Sequence, residues 1–268
     1  MDKLTKILKA TMTQPGWFGL YHWMWIAIVV FMCSIIWICR EDLDSKKVHG
    51  IVMFIGFMLF ILEIVKQYER GLDTDGSWNY DWKSFPLAFC STPIYVMCAT
   101  AFTKENKVRD VLYSFLATYS IVAGALVMFF AGSVYTDSIF INIHTMLWHG
   151  GMFIVGFLLL ATHSVTMNVK TSLKATIVFL PVVCLGLLTN VIAHFAEVEI
   201  NALALGPYIK TDLAVLDKVW DAVNCWPIFF IIYLFGFFAC SLIVMLISSI
   251  GIKCQDVYRR RKHDQWFF

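Results

Sequence analysis

Residues Ser84–Thr100 read SFPLAFCSTPIYVMCAT. The stretch is apolar, and Pro86 and Pro93 stand on either side of Cys90. It follows an acidic, Trp-rich segment, Tyr68–Lys83 (YERGLDTDGSWNYDWK), in which Gly71 and Gly76 permit turns. A thiol between two helix-disturbing prolines inside a membrane crossing reads as a candidate nucleophile. The plain alternative is a small buried side chain that only packs.

The rest of the chain fixes the solvent as lipid. Of 268 residues, 59% are hydrophobic and only 15% are charged, where a soluble domain carries about 25% charged residues. Apolar runs of crossing length are expected at about 20–39, 50–65, 84–102, 111–132, 143–163, 175–198 and 225–249. The reading is an all-α polytopic membrane protein, a seven-transmembrane helix bundle over 20–250. Residues 1–19 form an N-terminal interfacial segment, with Leu4, Ile7 and Leu8 spaced as a helix face between Lys3, Lys6 and Lys9. Residues 251–268 form a basic cytoplasmic tail.

Lys and Arg favour the side of that tail, mainly through Arg259, Arg260, Arg261 and Lys262. The bias sets the C-terminus in the cytoplasm and the N-terminus outside. The basic residues are otherwise dispersed, so no nucleic-acid partner is expected. Eight cysteines without a CxxC pair make neither a disulfide framework nor a zinc site.

Polar groups inside apolar crossings are costly and need a reason. Seven crossings put Glu63, Cys90, Ser91, His144, His149, Asn190, His194 and Glu197 at comparable depth on one side. Asn190, His194 and Glu197 share one helical face at i, i+4 and i+7. Gly150 and Gly151 after His149 permit close approach. Pro93 is expected to leave a carbonyl of the third crossing free inside the bundle. These features describe a polar intramembrane pocket. Each also has a structural reading: Asn190 as a helix–helix hydrogen bond, Glu197 as a solvated helix end, Trp78, Tyr80 and Trp82 as belt aromatics.

The pattern Trp82…Pro86-Leu87…Phe89-Cys90-Ser91 resembles the W-x-x-x-P-L-H-L-C-S signature of the YwaF/TMEM164 family of integral membrane proteins. Trp148-His149-Gly150 is similar to that family's F-x-S-H-G segment, and Leu216-Asp217…Trp226-Pro227 resembles its L-L-D-x-x-G-P-W-P motif. Asn190 and Asn201 fall where the family has asparagines. Ala88 stands where the family has His, and Asn224-Cys225 replaces its Gly before the last Trp-Pro.

The resemblance implies an acyltransferase (transacylase) that moves fatty acyl chains between phospholipid and lysophospholipid substrates. Cys90 would be the nucleophile and His149 the base, with no cofactor and no metal. Glu63, Ser91, Asn190, His194 and Trp82 line the expected pocket: Asn190 or Ser91 as oxyanion donors, Glu63 or His194 orienting His149. The protein is expected in the cell membrane if bacterial. The same pocket also suits a membrane transporter or small-ligand-binding protein in which Cys90 is idle. A metal site from His149, His194, Glu63 and Cys90 lacks a supporting local motif, and seven crossings also fit a receptor.

Overall fold

A computed structural model describes residues 3–265 apart from 74, 212 and 214; the side chains of 133 and 252–265 lie outside that description. The helices in chain order are α1 (Lys3–Leu8), α2 (Leu20–Cys39), α3 (Ser45–Gly71), α4 (Thr92–Thr100), α5 (Lys107–Phe115), α6 (Ile121–Phe129), α7 (Ile139–Ala161), α8 (Val169–Phe195), α9 (Leu216–Val223) and α10 (Trp226–Gln265). A wide π-helical turn, Leu116–Ser120, joins α5 to α6. Among the described residues, six units are long and apolar enough to cross a membrane: α2, α3, the joined α5–α6, α7, α8 and α10. The molecule is a multi-pass, all-α membrane protein, as its composition demands.

The third crossing departs from the expected continuous helix. Its course is fixed by contacts with α3. Gln67 Nε2 donates to Ser84 O at 2.9 Å. A methyl group on Gly56 would lie 2.6 Å from Met97 Cβ. Ser45 Oγ donates to Glu105 Oε1 at 2.8 Å. Ser45 to Gln67 is about 33 Å of helix, close to a hydrocarbon core of about 30 Å. The chain therefore traverses the bundle between Ser84 and Glu105, yet only Thr92–Thr100 of that course is α-helix.

Proline accounts for the difference. Phe85, ahead of Pro86, is held out of the helical region (φ −50°, ψ 131°). Pro93 lies in the first turn of α4, where its missing N–H costs nothing. It starts a helix here and does not interrupt one.

The joined α5–α6 and α7 are the most enclosed elements, while α2 and α10 are peripheral. Phe31 and Ile38 on α2 and Phe235 and Ile247 on α10 are exposed, as lipid-facing side chains are. Glycine sets the central contact. A methyl group on Gly124 would meet His149 O at 2.6 Å and Phe153 N at 2.8 Å. One on Gly156 would meet Ile121 Cβ at 2.6 Å and Leu116 O at 3.0 Å. At both places α6 and α7 approach too closely for a side chain.

The N-terminal segment forms its short helix, and the residues after it are fastened to the bundle. Lys9 Nζ reaches Glu69 Oε1 at 3.1 Å and Glu69 O at 2.7 Å. Met12 N–H donates to Asp137 O at 2.8 Å, and Ile139 N–H to Ala10 O at 3.0 Å. Trp17 Nε1 donates to Phe129 O at 2.9 Å. The basic side chains expected in the 251–268 tail lie outside the described residues.

Candidate functional site

The irregular half of the third crossing begins at Asp81. Its carboxylate accepts Lys83 N–H at 3.1 Å and Ser84 Oγ at 2.7 Å, which starts the 3₁₀ turn Trp82–Ser84. From Phe85 to Ser91 the backbone is not α-helical: Phe85 and Leu87 N–H close short turns onto Trp82 O and Phe85 O at 3.1 and 2.8 Å, and the Pro86, Leu87 and Cys90 carbonyls are met from elsewhere. Tyr95 Oη donates to Pro86 O at 2.7 Å. Leu203 N–H donates to Leu87 O at 2.9 Å. Trp148 Nε1 donates to Cys90 O at 2.9 Å. Pro93, in the first turn of α4, frees no carbonyl inside a helix as the sequence suggested; the Cys90 carbonyl ahead of that turn is satisfied by α7.

Ser91 occupies the N-cap position of α4; its N–H donates to Ala88 O at 3.0 Å, and its hydroxyl makes no capping bond. Phe89 anchors the segment against Phe237 and Phe179, with ring centroids at 4.3 and 5.9 Å. Cys90, half-buried, sits directly ahead of the first turn of α4. Unpaired N–H groups and the helix dipole favour negative charge at such a position.

The charged groups acting on Cys90 are Lys66 and Glu63, near the end of α3. Glu63, Lys66 and Gln67 share one helical face. Lys66 Nζ lies 2.9 Å from Glu63 Oε1, and the Gln67 amide donates to the same oxygen. Tyr80 Oη donates to Gln67 Oε1. Burial, with Glu63 and Asp81 nearby, pushes the Tyr80 phenol up, so it stays a donor. Lys66 also lies 5.8 Å over the Trp148 ring.

Among the described residues three buried histidines differ sharply. His22 is bonded at both nitrogens: Phe18 N–H donates to Nδ1 at 3.1 Å, and Nε2 meets Met128 O at 2.7 Å. His149 Nδ1 lies 2.8 Å from Thr145 O, while its Nε2 is buried without a partner. A carbonyl can only accept, so Nδ1 carries the proton and Nε2 of the neutral ring keeps its lone pair. His144 Nε2 is likewise buried and unbonded, 3.6 Å from Glu63 Oε2, and its ring lies 4.7 Å from that of Trp148.

Cys90, Trp148, Lys66, Glu63 and His144 are therefore one neighbourhood. No hydrogen bond joins Cys90 to His149 among the described residues; the tie between the two segments is made one residue earlier, by Trp148. Glu63 pairs with His144. His194 stacks on Tyr208, with centroids 3.8 Å apart. Asn190 is buried, and its side chain both donates to Ala202 O at 3.1 Å and accepts from Ala202 N–H at 2.6 Å. It fastens the loop after α8. Asn190 and His194, with Glu197 and Tyr208, line a cleft of about 360 Å³ whose lining includes neither Cys90 nor Glu63. Trp82 is exposed and meets Tyr80 edge-on at 5.0 Å.

Sequence reasoning gave Lys66 and Gln67 no part in the site, read Tyr80 as a belt aromatic, and gave His144 no partner. The available signals were the i, i+3, i+4 spacing of Glu63, Lys66 and Gln67 and the i, i+4 spacing of His144 and Trp148. The model of the TMEM164 family matches residues 17–248. No curated protein and no solved structure matches the chain.

Proposed function

We propose, because the chain belongs to the TMEM164 family, that it is an integral membrane acyltransferase moving fatty acyl chains between phospholipids through Cys90. One observation carries the reading. Cys90 stands directly ahead of α4, its carbonyl held by Trp148 and Lys66 and Glu63 the charged groups acting on it.

His149 is the base for this thiol. Its Nε2 lone pair is bare because Thr145 holds the proton on Nδ1. Catalytic hydrogen bonds are often unformed at rest and tighten with substrate. The Cys90 proton moves to His149, sulfur attacks an ester carbonyl of the donor phospholipid, and the carbon–oxygen bond breaks. The proton returns to the departing lysophospholipid oxygen, leaving an acyl thioester on Cys90. An acceptor lysophospholipid hydroxyl then gives its proton to His149 as its oxygen attacks the thioester carbonyl; the carbon–sulfur bond breaks and the proton returns to the Cys90 sulfur. Donor, acceptor and enzyme share one bilayer. The Lys and Arg bias sets this site in the half of the membrane away from the cytoplasm.

A thiol-reactive acyl probe read at the Cys90 peptide tests the assignment. Wild type is labelled and Cys90→Ala is not. Lipid profiles of cells expressing wild type, Cys90→Ser and His149→Ala should change for wild type alone. The second reading, a small-ligand carrier, is favoured by the cleft around His194 and Tyr208. It gains if Cys90→Ser keeps the full lipid phenotype.

A further inference from the structure

The two peripheral crossings, α2 and α10, are the walls of a groove of about 500 Å³ floored by α6 and α7. Ala125 and Phe157 lie on the floor, Trp37 on one wall and Ile243 and Ile247 on the other. Trp37, Ile243 and Ile247 are exposed, so the groove opens sideways to lipid. Along α10 it runs from Cys240 to Gly251, about 16 Å of helix and about half of a hydrocarbon core of about 30 Å. Its deep end is thus near the middle of the membrane, and its mouth is on the side where α2 and α7 end. The mouth is polar. There α7 closes in a Schellman turn: Ser164 N–H donates to Leu159 O at 3.0 Å and His163 N–H to Leu160 O at 3.2 Å. His163 takes the left-handed position (φ 53°) that glycine usually fills, and its exposed side chain joins the groove lining. Arg40, directly after α2, lies 4.2 Å over the Trp37 ring. Its guanidinium donates to Trp37 O and lies 3.3 Å from Glu41 Oε1, which leaves donors of the fork over.

We propose that this groove is a binding site for one phospholipid of the leaflet on that side, its acyl chain along α6 and α7 and its phosphate at Arg40 and His163. Two independent features name the occupant. The apolar trough is one leaflet deep, so a chain entering at the mouth is covered to the point where its own leaflet ends. The mouth carries a guanidinium and an imidazole at headgroup level, which complements a phosphate and offers nothing to an uncharged lipid. A lipid seated there would bridge α2 and α10, the two least enclosed crossings, across the central α6–α7 pair. The inference stands apart from the Cys90 reading, since neither Cys90, His149 nor Glu63 lines the groove.

Photolabelling in a bilayer tests it. Full-length protein is placed in vesicles of phosphatidylcholine that carry either phosphatidylcholine or diacylglycerol with a diazirine midway along one chain. After irradiation the labelled residues are located by mass spectrometry. Label from phosphatidylcholine should concentrate within 153–163 and 240–251, above that on Phe54 of α3 and Ile177 of α8, which are exposed to lipid in the same half of the bundle. Arg40→Gln, which loses a charged donor to the phosphate, should lower groove labelling about 10-fold, and diacylglycerol should label the groove of wild type as weakly. Ala125→Trp, which fills the floor, should abolish groove labelling and leave Phe54 and Ile177 labelled as before. Cys90→Ala should label as wild type does, whether or not acyl transfer occurs. Even labelling of the groove, Phe54 and Ile177 would mean bulk lipid only and overturns the inference. So does equal groove labelling by diacylglycerol, or a groove covered by a second copy of the chain, seen as a dimer by native mass spectrometry.

Discussion

Trp148 donates its indole N–H to the backbone carbonyl of Cys90 across 2.9 Å, tying the middle of α7 to the broken third crossing. The bond fixes the Cys90 peptide from outside its own segment. It also places the residue next to His149 in direct contact with the Cys90 segment.

Trp148→Phe keeps the ring and removes the donor. The buried Cys90 carbonyl then lacks a partner, at a cost of about 1–3 kcal/mol. A lower melting temperature in detergent is expected, together with slower probe labelling at Cys90. Unchanged values for both would show that the bond does not position the thiol.

Gly124→Ala places a methyl group 2.6 Å from His149 O and 2.8 Å from Phe153 N, two backbone atoms that cannot turn aside. Forcing α6 from α7 should cost about 1–3 kcal/mol. Gly236→Ala, on α10, meets nothing within 4 Å, and its higher helix propensity should leave stability equal or slightly raised. Thermal unfolding of the two variants in the same detergent checks the contrast.

Asn190 offers a graded series. Asn190→Asp still accepts from Ala202 N–H but cannot donate to Ala202 O; Asn190→Leu does neither. Each lost buried partner costs about 1–3 kcal/mol, so Leu should destabilise more than Asp. Limited proteolysis should cut first within 199–209, and the rate should rise in that order.

Pro93→Ala should be nearly silent, within about 1 kcal/mol, because Pro93 occupies a first-turn position whose N–H has no intrahelical acceptor. A large loss of stability would mean that Pro93 interrupts a longer helix. The measurement is the melting temperature beside wild type.

Much of the fold is written in hydropathy. Long apolar runs can only cross as helices, and six helices among the described residues are long and apolar enough to do so. The third crossing was legible as a passage but not as a shape. Its apolar residues look like any span, and what decides its form is which donors lie opposite the Pro86, Leu87 and Cys90 carbonyls. Those donors are Tyr95, Leu203 and Trp148, up to 116 residues away in the chain.

Depth was equally legible: Glu63 and His144 do meet. Direction within a helix turn was not. His144 and His149 are five residues apart, so their side chains leave α7 at different angles, and only tertiary packing shows that Glu63 faces the first. Asn190 looked like a pocket donor because periodicity gave it the face shared with His194. Its amide is engaged by a loop whose fold no periodicity describes.

The half-helical third crossing also sets an order of assembly. When residues 84–91 first leave the ribosome, the amide that will cover Leu87 is still to be made, and so is the indole meant for Cys90. Until Trp148 and then Leu203 emerge, that strip of backbone has no lasting home in lipid. The surroundings of Cys90 are therefore completed only after about three-quarters of the chain has been synthesised, and chains arrested before the loop behind α8 should be drawn to quality-control proteases.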